Sequence, residues 1–112
     1  MHEIAIVNHL FEIINEVSKK ENLSKISQVN FLLGEMQQIV PEIFRFAFES
    51  AAENTIAQNA ILNIEIVSIK GQCNSCNKIC DVKKVFYCSF CGSKDLNIIN
   101  GNELIIKSIE GE

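Results

Sequence analysis

Residues 73–91 read Cys73-Asn74-Ser75-Cys76-Asn77-Lys78-Ile79-Cys80-Asp81-Val82-Lys83-Lys84-Val85-Phe86-Tyr87-Cys88-Ser89-Phe90-Cys91, and they decide what kind of fold this chain carries. Two Cys-x-x-Cys pairs can close a tetrahedral thiolate shell around one metal ion. Each pair sets two sulfurs on one tight turn, and the eleven residues between Cys76 and Cys88 suffice for a short hairpin that brings the turns face to face. The stretch therefore reads as a compact zinc ribbon with Cys73, Cys76, Cys88 and Cys91 as ligands. Disulfides are the competing reading, but Cys80 makes the cysteine count odd and the N-terminus does not resemble a secretory signal. Iron in a four-thiolate shell would use the same ligands.

Four thiolates leave no position for water or substrate, so the expected role of the zinc is structural and any activity must be sought elsewhere. Gly92 follows the second pair and Asn77 the first. These are the two residue types that best tolerate a left-handed backbone behind a metal-binding turn.

Working outward, the 112 residues suffice for one domain, or one domain with a small module, and 47% hydrophobic content fits a globular chain. No apolar run is long enough to span a membrane, and a spare thiol beside four metal ligands fits a reducing compartment. A cytoplasmic protein is expected. The net charge of −4 counts against nucleic acid, which needs a basic footprint. A zinc tetrathiolate would bring the ribbon's small lysine excess close to neutral.

Before the ribbon, Ile4, Val7, Leu10, Phe11, Ile14 and Val17 recur at helical spacing over residues 4–18. Residues 26–33 alternate through Val29, Phe31 and Leu33 as a strand ended by Gly34. Pro41 opens a second helix with Phe44, Ala47, Phe48 and Ala51 on its buried face, ending near Asn54. Ile61 to Ile69 reads as a second strand, and residues 102–109, after Gly101, as a third. The ribbon is thus inserted between two strands, which could pair as one long antiparallel hairpin with the zinc module at its tip. The expected class is α+β: a three-stranded sheet carrying two helices, residues 1–70 with 101–112, and an inserted zinc ribbon, residues 71–100.

The chain begins Met1-His2-Glu3 at the start of a helix. A histidine second from a free amine can hold Ni(II) through the α-amine, its own deprotonated amide and imidazole Nδ1, in one plane. Standing alone, so short a motif matches by chance. Here it stands with Leu33-Gly34-Glu35, the two cysteine pairs and Gly101-Asn102-Glu103-Leu104, and in that order the chain resembles the HypA/HybF family of hydrogenase maturation nickel metallochaperones.

The resemblance implies a non-enzymatic protein that carries nickel at its N-terminus and delivers it during assembly of [NiFe]-hydrogenase. It implies a HypB-type GTPase and the hydrogenase large subunit as partners; with the charge and hydropathy above, the expected protein engages no nucleic acid and no membrane and is a monomer or weak homodimer. On it, His2 holds nickel with Met1 and Glu3 beside it, and Cys73, Cys76, Cys88 and Cys91 hold zinc. Cys80 lies outside the family pattern and reads as a partly buried spare thiol. His9, about 10 Å along the helix from His2, reads as a surface residue. Glu12, Glu16, Glu35 and Glu42 read as solvated charges, although Glu35 and Glu42 could frame the nickel site or a partner surface. The competing functional reading is a zinc-ribbon adaptor or nucleic-acid-binding protein.

Overall fold

The computed structural model describes residues 3–82 and 86–112. The chain divides into two compact units, one formed by residues up to Leu32 with Ile39–Glu65 and Ile105–Glu112, the other by Leu33–Gln38 and Ile66–Leu104. Two helices, α1 (Glu3–Lys20) and α2 (Pro41–Ala52), accompany six strands: β1 (Ile26–Gly34), β2 (Ile61–Val67), β3 (Lys70–Cys73), β4 (Ile79–Asp81), β5 (Leu96–Asn100) and β6 (Leu104–Gly111). They form two three-stranded sheets, ordered β2-β1-β6 and β4-β3-β5. No helix among the described residues is long and apolar enough to cross a membrane.

In the first unit α1 buries Ile6, Val7, Leu10 and Ile14, while Ile4 is 69% exposed. The stripe through Val7, Leu10 and Ile14 is as expected, but it begins with Ile6, which lies about 200° around the helix from the exposed Ile4. Ser18, also buried, is satisfied because its hydroxyl donates to the Ile14 carbonyl at 2.7 Å. Lysines 19 and 20 close the helix where its dipole favours cations. Pro41 opens α2, whose buried face is Phe44, Phe48 and Ala52; Ala51, expected inside, is exposed. Phe48 stacks on Phe11 with ring centroids 5.2 Å apart, and Phe31 meets Phe44 edge-on at 5.1 Å. With each buried aromatic or branched side chain contributing about 1.5–3 kcal/mol, these rings tie helices to sheet.

The long hairpin expected between the strands flanking the ribbon does not form, because β1 lies between β2 and β6. Burial explains the choice. Ile26, Val29, Phe31, Leu33 and Gly34 of β1 are all buried, whereas β2 has one buried residue and β6 none, so the strand with most to bury takes the centre and strands carrying Asn63, Glu65 and Lys107 take the edges. Lys25 and Glu112 exchange backbone hydrogen bonds and Ser27 reaches the Glu110 carbonyl, so β6 runs back along β1. The pairing expected of the flanking strands falls instead to β3 and β5, which are antiparallel with Gln72 opposite Asn97.

In the second unit β3 pairs with β4 on its other side, setting Gly71 opposite Cys80. Its small core consists of Cys73, Cys80, Val82 and Cys88, packed with Ile69, Cys76 and Leu96. At its base, the Gly34 N–H donates to the Glu103 carbonyl and the Met36 N–H to the Gly101 carbonyl, both at 2.8 Å. Glu103 Oε1 accepts from the Gly101 N–H at 2.7 Å, and Glu35 Oε1 from the Ile69 N–H at 3.1 Å. Leu33-Gly34-Glu35 and Gly101-Asn102-Glu103-Leu104 thus meet as one backbone junction. Glu35, an exposed charge as its sequence context suggests, also accepts a backbone N–H from the connection just before β3.

Candidate metal centre

Each Cys-x-x-Cys pair forms the same turn. In the first, the Asn77 N–H donates to the Cys73 carbonyl and Asn77 has φ 63°; in the second, the Gly92 N–H donates to the Cys88 carbonyl and Gly92 has φ 79°. Both positions anticipated as left-handed are so, for the steric reason that made Asn and Gly informative. The N–H groups of Ser75 and Cys76 point at Cys73 Sγ, at 3.3 and 3.4 Å, and that of Phe90 points at Cys88 Sγ at 3.4 Å. Bonds between the two turns fix them relative to each other, Asn74 Nδ2 to Asp95 Oδ1 at 2.9 Å and Ser75 Oγ to Ser93 Oγ at 3.0 Å, while the Cys88 N–H closes the second turn on the Ser93 carbonyl at 2.7 Å.

The four sulfurs of Cys73, Cys76, Cys88 and Cys91 all lie within 4.8 Å of one another. Cys73 to Cys91 and Cys76 to Cys88 are each 3.6 Å. A tetrahedron of roughly 2.3 Å metal–sulfur bonds spaces its sulfurs about 3.8 Å apart, so the set fits a zinc ion with little adjustment. Its electrostatics also call for a cation. The Cys88 thiol is lowered to about 6, chiefly by the Cys91 N–H, against burial and with help from the Phe90 N–H. Cys73 is lowered too, first by the Cys76 N–H. Their partners resist ionisation. The Ser93 N–H favours the Cys91 thiolate, but donation of its proton to Cys73, burial, and its Cys88 and Cys76 neighbours outweigh it and push Cys91 up to about 12. Cys76 is raised although the Lys78 N–H opposes this, because burial and donation to Cys88 and Cys73 prevail. Two thiolates each hold a neighbour's proton, and a divalent cation can displace both.

Cys80 is buried at 5% exposure in β4 and does not belong to the four-sulfur cluster. His9 is exposed and its nearest charged neighbour is Glu12, with Nδ1 to Oε2 at 3.6 Å. Glu3 is half-buried at the first residue of α1. Met1 and His2, the other two anticipated nickel-binding residues, lie outside the described residues. The backbone junction at Gly34 and Gly101 was not anticipated, although two glycine-glutamate segments bracketing the ribbon were visible as motifs.

Comparison with known proteins agrees with this geometry. Residues 1–111 match the family model described as HypA, hydrogenase/urease nickel incorporation, metallochaperone. The hydrogenase maturation factor HypA of a Picosynechococcus species is 35% identical over 111 residues, covering 98% of each chain. That of Methylocella silvestris is 30% identical over 113 residues, covering both chains fully. The solution structure of the Ni metallochaperone HypA from Helicobacter pylori superposes with a TM-score of 0.71 at 30% identity, across 99% of this chain and 97% of the other.

Proposed function

This chain belongs to the HypA family, and we propose that it carries Ni(II) at its N-terminus and delivers it during maturation of [NiFe]-hydrogenase. The observation that carries this reading is the family match from residue 1 to residue 111, which takes in both the terminal Met1-His2-Glu3 and the cysteine pairs. The protein acts by binding and release, not catalysis. Residues 1–70 with 101–112 form the nickel-handling part and residues 71–100 the zinc module.

Nickel is the cargo. His2 supplies imidazole Nδ1 and its own amide nitrogen, Met1 supplies the α-amine, and the Glu3 backbone and carboxylate stand next in line. These donors hold nickel less permanently than four thiolates hold zinc, so cargo and structural metal are separated by ligand chemistry. Bound at Cys73, Cys76, Cys88 and Cys91, zinc supplies a closed cross-link and no open coordination position. The residues around it direct N–H groups at Cys73 and Cys88, stabilising thiolates.

Acceptors consistent with this role are a nickel-inserting GTPase of the HypB type and the hydrogenase large subunit, in the cytoplasm. Because the family's description also includes urease, urease is the second candidate client.

The test is a nickel titration of protein with its authentic N-terminus, alongside His2→Ala. Wild type should bind one nickel per chain with a planar, nitrogen-rich absorption spectrum, and His2→Ala should lose it while keeping zinc and fold. Affinity should fall below about pH 6.5, where amine and imidazole are both protonated. Unchanged nickel binding by His2→Ala would place the cargo elsewhere.

A further inference from the structure

Helix α2 turns Phe44, Phe48 and Ala52 into the core of its unit, yet its opposite face is not uniformly polar. Phe46 is 71% exposed, Ile43 52%, and Val40, just before the helix, 46%. At 100° per residue Phe46 sits at the middle of the solvent-facing arc, with Ile43 about 60° to one side. On its other side Glu53, Glu42 and Glu49 fall within about 60°, forming a rail of carboxylates beside an apolar ridge. None of these three glutamates takes part in an ion pair among the described residues.

Single exposed apolar residues are ordinary on any surface. What distinguishes this face is what adjoins it. A groove of about 480 Å³ runs along the rail, lined by Glu49 and Glu53, by Ala52, Ala57 and Ala60, and by Ile61, itself 59% exposed. Arg45 also lines this groove, and its guanidinium is engaged with the Leu62 carbonyl, which holds its side chain near the start of β2. The unit containing α2 carries ten Asp and Glu against five Lys and Arg, so the negative field around the ridge is not locally balanced.

We propose that this face of α2 docks a basic amphipathic helix of a partner protein. The partner's apolar stripe covers Phe46, Ile43 and Val40, and its Lys or Arg side chains lay their aliphatic stems on the exposed Ile61 at the groove and their charges against Glu42, Glu49 and Glu53. Charge complementarity selects this occupant. A second copy of the same face, packed antiparallel, would bring Glu42 against Glu53 and one rail against the other, while anionic lipid or nucleic acid would meet the same carboxylates. The surface carries none of the residues assigned to either metal, so its loss is distinguishable from loss of nickel or zinc.

The test uses full-length ¹⁵N-labelled protein and two synthetic helical peptides of roughly 18 residues, one of Leu and Lys at amphipathic spacing, the other of Leu and Glu in the same pattern. The Leu/Lys peptide should bind, shift amide signals of residues 40–53 and 57–62, and weaken as salt is raised from about 0.05 to about 0.3 M. The Leu/Glu peptide should not bind. Phe46→Ser and the triple change Glu42→Gln, Glu49→Gln, Glu53→Gln should each weaken binding by about tenfold or more, with circular dichroism and zinc content unchanged. Equal binding of both peptides, shifts mapping elsewhere, wild-type affinity in both variants, or a concentration-dependent dimer abolished by Phe46→Ser would each overturn the proposal.

Discussion

Gly34→Ala should be among the most damaging single-methyl changes in the chain. Gly34 has ordinary extended dihedrals, φ −75° and ψ 141°, so its need for glycine is one of space, not conformation. A Cβ there would lie 2.1 Å from the Gly101 carbonyl oxygen, 2.3 Å from its carbon and 2.5 Å from the Glu103 nitrogen. All three are backbone atoms, so no rotamer change relieves the clash, and the two segments must part by about 1 Å to reach ordinary contact. That displacement breaks the 2.8 Å bonds from Gly34 to Glu103 and from Met36 to Gly101. Two net hydrogen bonds at about 1 kcal/mol each, with about 1–3 kcal/mol of overpacking, give a cost of about 3–5 kcal/mol. With a urea slope of about 1.5–2 kcal/mol per molar, the unfolding midpoint should fall by about 2 M. Gly71→Ala is the control, since its nearest obstacle is the Val82 side chain at 3.1 Å, which can yield for about 1 kcal/mol or less. The assay is urea unfolding by circular dichroism at fixed metal concentration, so that binding does not mask the difference. A Gly34→Ala midpoint within about 0.5 M of wild type, or equal losses for the two variants, would refute the steric reading of the junction.

Two further outcomes follow from the four-sulfur cluster. Cys→Ser at 73, 76, 88 or 91 should abolish tight zinc binding and unfold the ribbon, whereas Cys80→Ser should retain one zinc per chain; metal analysis of the five variants decides it, and zinc loss in Cys80→Ser would revise the ligand set. Zinc affinity should also fall with acid, more steeply below the Cys88 value of about 6. The sign follows from the protonation states: Cys88 and Cys73 favour the thiolate, so near neutrality zinc must displace mainly the protons of Cys76 and Cys91, while below about 6 it must also displace that of Cys88. Competition against a chromophoric chelator from about pH 5 to about pH 8 would show a steepening slope, and a flat profile would count against thiolate ligation.

The zinc-ribbon site was legible because its chemistry and its backbone are both local. Two Cys-x-x-Cys pairs define the donors, and Asn77 and Gly92, directly after them, advertise their own positive φ, with no need to know what lies across the module. Pro41 was legible for the same reason, since a fixed φ and a missing N–H suit a helix start wherever the helix packs. Strand order was not. Alternation identifies β1, β2 and β6 as strands but does not say which two meet; that depends on which strand must be covered on both sides, and β1 wins through the combined burial of Ile26, Val29, Phe31 and Leu33. Strand β5 is not legible in the same way, because Leu96-Asn97-Ile98-Ile99-Asn100 is short and its pairing with β3 is set by distant residues.

The junction occupies a middle case. Gly34, Glu35, Gly101 and Glu103 were visible as motifs, but their purpose is a contact between segments more than sixty residues apart in sequence. A glycine can be required by its own dihedral together with space, as at Gly101, with φ 112° and Ile69 Cα 2.7 Å from where a Cβ would lie, or by space alone, as at Gly34, which faces the carbonyl of the β5–β6 connection. The two look identical in sequence and differ in what a methyl group would strike. Substitution separates them. D-alanine, which accepts positive φ, should relieve the dihedral penalty at position 101, whereas at Gly34, where an L-residue's dihedrals already suit, the obstacle to an L-alanine is the Gly101 carbonyl itself.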